Sequence, residues 1–167
     1  MAELERHAIA VLVDNEPGIL ARVVGLFSGR GYNIESLTVA EVDRANRLSR
    51  ITIVTSGTRM IIEQIKAQLS RLVPVHKVHD LTDEGPFVER EMALIKVAGK
   101  GELRIESLRL ADIFRAAVID STIESFVFEI TGSAEKLNAF IELMVPLGLV
   151  EVSRTGTVAI ARGPGRF

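Results

Sequence analysis

No cysteine occurs anywhere in the chain, which excludes disulfides, thiolate metal ligands and a cysteine nucleophile. Tryptophan is also missing and tyrosine occurs once, so there are few flat platforms on which nucleobases could stack. Neither sign of charge dominates: 20 Lys and Arg stand against 22 Asp and Glu, for a formal net charge of -2. The basic residues are dispersed, and the electrostatic footprint of a nucleic-acid binder is lacking. No apolar run approaches the roughly 20 residues that span a bilayer. The opening Met1-Ala2-Glu3-Leu4-Glu5-Arg6 lacks the basic-then-apolar order of a secretory signal. Together these absences predict a cytoplasmic protein engaged with neither membrane nor nucleic acid.

What the chain does have is apolar mass arranged in a repeating order. Apolar residues make up 47% of its 167 residues and the mean hydropathy is +0.27, ample for a globular core. Residues 8–13 read as a strand, and Ile19, Leu20, Val23, Val24 and Phe27 recur at helical spacing. Gly29 and Gly31 are expected to end that helix. Residues 34–42 and 48–55, rich in Val, Ile and Thr, read as a hairpin joined by a polar loop. Ile61, Ile62, Ile65, Leu69 and Leu72 mark a second helix, Pro74 its stop, and residues 75–81 a further strand. The order is βαββαβ.

Residues 82–86 have the composition of a linker, and the same order restarts beyond them. Residues 92–98 read as a strand, 99–101 as a loop, and Leu103, Leu110, Ile113 and Phe114 as one helical face. Residues 118–120 and 126–131 supply strands. Leu137, Phe140, Ile141 and Met144 give another helix, with Ser133 as N-cap and Pro146 as stop. Residues 150–154 are expected to pair across Thr155-Gly156 with 157–161. The fold class predicted is α+β: two tandem ferredoxin-like βαββαβ domains, 1–82 and 83–167, each an antiparallel sheet with its helices on one face. Alternation sends Ile51 and Ile53 to one side and Thr52 and Val54 to the other, so both faces carry apolar surface. That favours cover by a second subunit or by the other domain.

The stretch Asp14-Asn15-Glu16-Pro17-Gly18 is a polar turn at a helix start. The first N–H groups of a helix lack internal partners and carry partial positive charge, so a carboxylate or phosphate is favoured there. Gly18 lets a ligand approach the backbone, and Asn15 can accept from an ammonium or donate to a carboxylate. The residues alone also fit a plainer reading, with Asn15 as N-cap, Pro17 as a first-turn residue and Gly18 as a packing necessity. Asn33, after Gly29-Arg30-Gly31-Tyr32, sits where an amide caps a strand or faces a ligand, and Tyr32 reads as helix packing. His76 and His79 fall on opposite faces of their strand, which disfavours a shared metal site. Ser121, Ser125 and Thr131 lack a nucleophile elbow. Residues 162–167 read as a frayed terminus.

The segments Asp14-Asn15-Glu16-Pro17-Gly18-Ile19-Leu20, Gly25-Leu26-Phe27 and Arg30-Gly31-Tyr32-Asn33-Ile34-Glu35-Ser36-Leu37-Thr38-Val39 resemble the ACT-domain regulatory subunit of acetohydroxyacid synthase, also called acetolactate synthase. The resemblance continues through Leu48-Ser49-Arg50, Val88-Glu89-Arg90-Glu91, Ile113-Phe114-Arg115 and Glu151-Val152-Ser153-Arg154-Thr155-Gly156, over essentially the whole chain. It implies a non-catalytic small subunit acting on a separate catalytic large subunit that carries thiamine diphosphate, magnesium and FAD. It further implies activation of that subunit and feedback inhibition by a branched-chain amino acid, usually valine. By resemblance the effector lies between two N-terminal domains of a homodimer, with Asn15, Gly18, Ile19 and Leu20 from one subunit and Asn33 and Ile34 from the other. Pro17 and the loops 44–47 and 99–102 depart from the pattern. The alternatives are an ACT-type sensor without this enzyme partner and, less in keeping with the residues, an RNA-recognition module of the same strand order.

Overall fold

The protein is described by a computed structural model covering residues 2–165 and 167. The chain divides into two compact units, one running up to Val88 and including Thr157–Phe167, the other Glu89–Gly156. The division thus falls between Val88 and Glu89 rather than at the expected 82/83, and the last stretch returns to the first unit.

In the first unit the order is β1 (Glu5–Asp14), α1 (Ile19–Arg30), β2 (Ser36–Asp43), β3 (Leu48–Gly57), α2 (Arg59–Arg71), β4 (Val75–Asp80) and a short α3 (Leu81–Glu84). The sheet runs β2-β3-β1-β4, and its pairs are antiparallel. Ile9, Val11 and Val13 of β1 and Ile51 and Ile53 of β3 meet Ile19, Val23 and Phe27 of α1 and Ile65 and Leu69 of α2 in one buried cluster. Helical spacing on the helices and alternation on the strands converge on this core. Gly29 continues α1, and Gly31 ends it with φ 69°, donating to Ser28 and Phe27 carbonyls. Tyr32 packs edge-on to Phe27 at 6.2 Å, as its sequence position predicts. Thr58 caps α2 by accepting from the Ile61 N–H at 3.4 Å.

The opposite face of this sheet, expected to need a partner, is covered in part by the chain itself. Ala8, Ala10 and Val54 form a second cluster with Leu81 and Ala159, and Phe87 and Phe167 pack against it. Residues 82–86 are therefore more than a linker: Thr82 to Glu84 continue the short α3 that begins at Leu81, and the Ala8 N–H donates to Thr82 Oγ1 at 3.0 Å. Within the stretch expected to fray, Arg162 and Phe167 both make contacts. The Arg162 N–H bonds the Pro86 carbonyl at 3.0 Å, and the Phe167 ring lies 4.6 Å from His79 and 4.6 Å from the Arg50 guanidinium carbon. Met1 and Arg166, which the readings of the two ends include, lie outside the described residues.

The second unit is built from β5 (Phe87–Val97), whose first two residues still belong to the first unit, α4 (Glu102–Ile113), β6 (Ala117–Ser121), β7 (Phe126–Gly132), α5 (Ala134–Met144), a 3-10 turn (Val145–Leu147) that holds Pro146, and β8 (Leu149–Arg154); β9 (Val158–Ala161), in the returning stretch, belongs to the first unit. The sheet order is β6-β7-β5-β8. Ile95, Phe128, Ile130, Leu137, Phe140 and Met144 anchor its core. Ser133 caps α5 as the sequence predicts, accepting from the Lys136 N–H at 3.2 Å. The expected hairpin between β8 and β9 does not form: β8 pairs antiparallel with β5, and β9 pairs with β5 too. Thr155 prevents the turn by staying on β5, donating its N–H to the Met92 carbonyl at 3.0 Å and accepting the Met92 N–H at 3.1 Å.

Candidate functional site

The turn between β1 and α1 is fixed from both ends. Asp14 donates its N–H to Pro74 and Asn15 to Arg47, at 2.9 and 2.8 Å, and the His76 ring nitrogen lies 2.6 Å from an Asp14 carboxylate oxygen. The N-cap of α1 is Gly18, at φ 84° and ψ -6°, with no side-chain cap among the described residues and no acid in the first turn. Asn15 is not the cap. A Cβ at Gly18 would meet nothing within 4 Å, so its backbone conformation, rather than crowding, requires glycine. The Ile19 N–H makes a long bond of 3.5 Å to the Glu16 carbonyl, and no side chain caps this helix start, the condition that favours an anion.

Asn15 is engaged on one side only: its Nδ2 donates to Glu41 Oε1 at 3.3 Å. A carboxylate can only accept, so this bond fixes the amide with its Oδ1 turned to other partners. An acceptor that can receive an ammonium therefore sits beside donors that can hold a carboxylate. Glu41, at the far end of β2, is a residue that sequence reasoning missed; only the β1-β3-β2 pairing brings it to Asn15. Ile19 is a core residue at 6% exposure, so its contribution is its backbone, while Leu20 is 40% exposed.

Asn33 and Ile34 lie at the other end of α1, a helix of 12 residues and so about 18 Å long. One chain does not bring them to Asn15. The Asn33 carbonyl accepts from Thr55 Oγ1 at 2.6 Å, its side chain is exposed, and Ile34 packs partly on the first core. Both lie two to three residues ahead of β2, which is an edge strand.

A second constellation in this unit surrounds His7, a residue the sequence did not single out. Its Nδ1 lies 2.8 Å from Asp80 Oδ2 and its Nε2 lies 2.9 Å from Glu5 Oε2. Lys66 Nζ stands 3.3 Å from Asp80 and 3.5 Å from Asp83, and Arg59 bonds Asp83 at 2.9 Å. Ligand atoms of His7, Asp80 and Asp83 fall within 4.8 Å of one another. With carboxylates on both ring nitrogens, the imidazole is best satisfied as a cation with two donors and no lone pair to offer a metal. Lys66 and Arg59 supply further positive charge, so the group is an ion-pair network. Burial lowers the His7 pKa, the hydrogen bonds to Glu5 and Asp80 raise it, and the net shift is upward. In the second unit an open cavity of about 340 Å³ is lined by Ile113, Phe114, Arg115 and Lys136.

Comparison with known proteins gives these geometries a context. Residues 90–163 match the family described as the small subunit of acetolactate synthase, and residues 9–77 the AHAS small subunit-like ACT domain. A probable acetolactate synthase small subunit of Archaeoglobus fulgidus is 49% identical over 95% of this chain and 98% of that protein. The chain belongs to the family of acetolactate synthase small subunits. The isozyme 3 small subunit of Escherichia coli is 45% identical over 95% of this chain and 96% of that protein. A crystal structure of the Thermotoga maritima small subunit superposes with a TM-score of 0.86 at 42% identity, covering 96% of this chain and 99% of that one. A small subunit is a regulatory component of acetolactate synthase and implies a catalytic large subunit, to which the cofactors belong. No helix among the described residues is long and apolar enough to cross a membrane.

Proposed function

We propose that this small subunit activates its catalytic partner and makes it sensitive to a branched-chain amino acid, valine in the first instance, bound between the first units of two chains. The observation that carries the reading is the uncapped start of α1 at Gly18 beside the half-used amide of Asn15. The N–H groups of the first turn hold the α-carboxylate, and the asparagine carbonyl takes the ammonium. Leu20 and Ile34 enclose the branched side chain. Asn33 and Ile34 come from the second chain. The strand order supports that division, because β2 is an unpaired edge with Val39 and Val42 exposed. An edge of this kind invites pairing, and an isologous antiparallel pairing of two β2 strands sets the Glu41 end of one beside the Ser36 end of the other. Asn15, bonded to Glu41, would then meet Asn33 across the interface.

The reading is tested by calorimetry with valine on the purified chain. Asn15→Ala removes an acceptor from a charged donor, worth about 1.5–3 kcal/mol, and so weakens binding by roughly ten- to a hundredfold. Gly18→Asp places a carboxylate where the ligand's carboxylate belongs and abolishes binding. Unchanged affinity in both variants would show the site to be elsewhere. An ACT-type sensor without the enzyme partner predicts instead that valine binds and acetolactate formation by the large subunit is the same with and without this chain.

A further inference from the structure

We propose that the contact between β2 and the returning segment at Thr157 carries the effector's influence out of the first unit, with Ser36, Thr38 and Arg50 as its positioning residues. The inference rests on the effector reading given above. Thr157 is buried at 3% exposure, and both of its backbone polar groups are held by β2 side chains: its N–H donates to Ser36 Oγ at 2.7 Å, and its carbonyl accepts from Thr38 Oγ1 at 3.2 Å. Ser36 and Thr38 are two apart and share the sheet face that points away from α1 and α2. From β3, Arg50 Nη2 donates to the Ala159 carbonyl at 2.6 Å, and its guanidinium lies over the Phe167 ring. The segment is thus fastened to this sheet by side chains, and it follows whatever those side chains do.

The positions of the fastenings matter as much as their number. Ser36 is two residues beyond Ile34 and three beyond Asn33, so any change in β2 as it closes on a ligand reaches Ser36 within one turn of chain. Thr157 follows Gly156, the last residue of the second unit. A shift at Thr157 therefore passes to the second unit through a peptide bond. Arg50 holds the next stretch, so the pull acts on the junction instead of dissipating along β9. A ligand biases such a linkage by its differential affinity for two arrangements, and side-chain hydrogen bonds to a buried backbone give it discrete ones.

The experiment uses the full chain with its large subunit, scoring acetolactate formation across a valine titration and valine binding by calorimetry. Thr38→Val and Ser36→Ala are expected to bind valine within about twofold of the unaltered chain and to stimulate the large subunit equally. The valine concentration for half-inhibition should rise by about tenfold or more, within the ordinary range of coupling. Thr38→Ser, which keeps the hydroxyl, should restore inhibition. Hydrogen exchange on the unaltered complex supplies a readout that a merely structural role would not move: valine should change protection at residues 157–161, and Thr38→Val should abolish that change. The exchange measurement needs no variant to fold, and Arg50→Met tests the same fastening from β3. Normal inhibition in the variants, or no valine effect on exchange at 157–161, overturns the proposal while the effector site stands. Loss of valine binding in Thr38→Val overturns it as well, by making Thr38 part of the pocket. Failure of the unaltered chain to bind valine, leucine or isoleucine removes the effector reading itself, and this inference with it.

Discussion

Burial favours a neutral imidazole at His7, yet the carboxylates of Glu5 and Asp80 hold it as a cation, and the second influence prevails. A raised folded value means that His7 contributes its full stability below the unfolded value of about 6.5 and loses it as pH rises through the folded value. His7→Gln should therefore be less stable than the unaltered chain at pH 6, by about 1.5–3 kcal/mol for the lost charged hydrogen bonds, and the gap should narrow at alkaline pH. Urea midpoints at pH 6 and 8.5 check this, and an equal gap at both would sink it. Nothing in the sequence pointed to His7, because its partner Asp80 stands 73 positions away and only the β1-β4 pairing joins them. Asn15, Gly18 and Asn33 could be picked out as candidates for the opposite reason: each belongs to a local motif at the boundary of a helix or strand. Glu41 carries no such local mark.

Helices and strands were mostly readable where two signals agreed. Ser133 stood before an apolar stripe at helical spacing, and it does cap α5. Ser133→Ala should lower the stability of the second unit by about 1 kcal/mol, seen as an earlier urea transition by circular dichroism; an unmoved transition would mean water serves the Lys136 N–H equally well. Gly29 looked like a stop only because glycine tolerates the positive φ that, of the two, Gly31 adopts and Gly29 does not. The early start of β5 was hidden by Glu89, Arg90 and Glu91, charges that ordinarily argue against a strand. Glu91 is buried because Arg154 meets it with two hydrogen bonds, at 2.7 and 3.0 Å. The hairpin expected at Thr155-Gly156 had the right turn residues, and no local signal disclosed that Thr155 would bond to Met92.

Across the molecule, the exposed β2 edge makes association a measurable expectation. Val39→Lys puts a charge on that edge at a position already 43% exposed, so the fold should hold within about 0.5 kcal/mol. Sedimentation should then show dissociation to a monomer, with loss of the valine response. A Val39→Lys chain that remains dimeric and binds valine would place the interface on another surface. The repeated βαββαβ order made the two domains visible in the sequence, but their boundary was displaced, because the apolar residues Leu81, Phe87 and Ala159 that shift it are too few to form a periodic pattern. Since Thr157–Phe167 completes a unit that the chain left at Val88, synthesis and folding cannot proceed strictly domain by domain. At roughly 5–20 residues per second, the ribosome delivers the missing segment on the order of several seconds after Val88. For that interval the nascent first sheet shows the apolar patch around Ala8, Ala10 and Val54 without its full cover, a window in which a chaperone has something to hold.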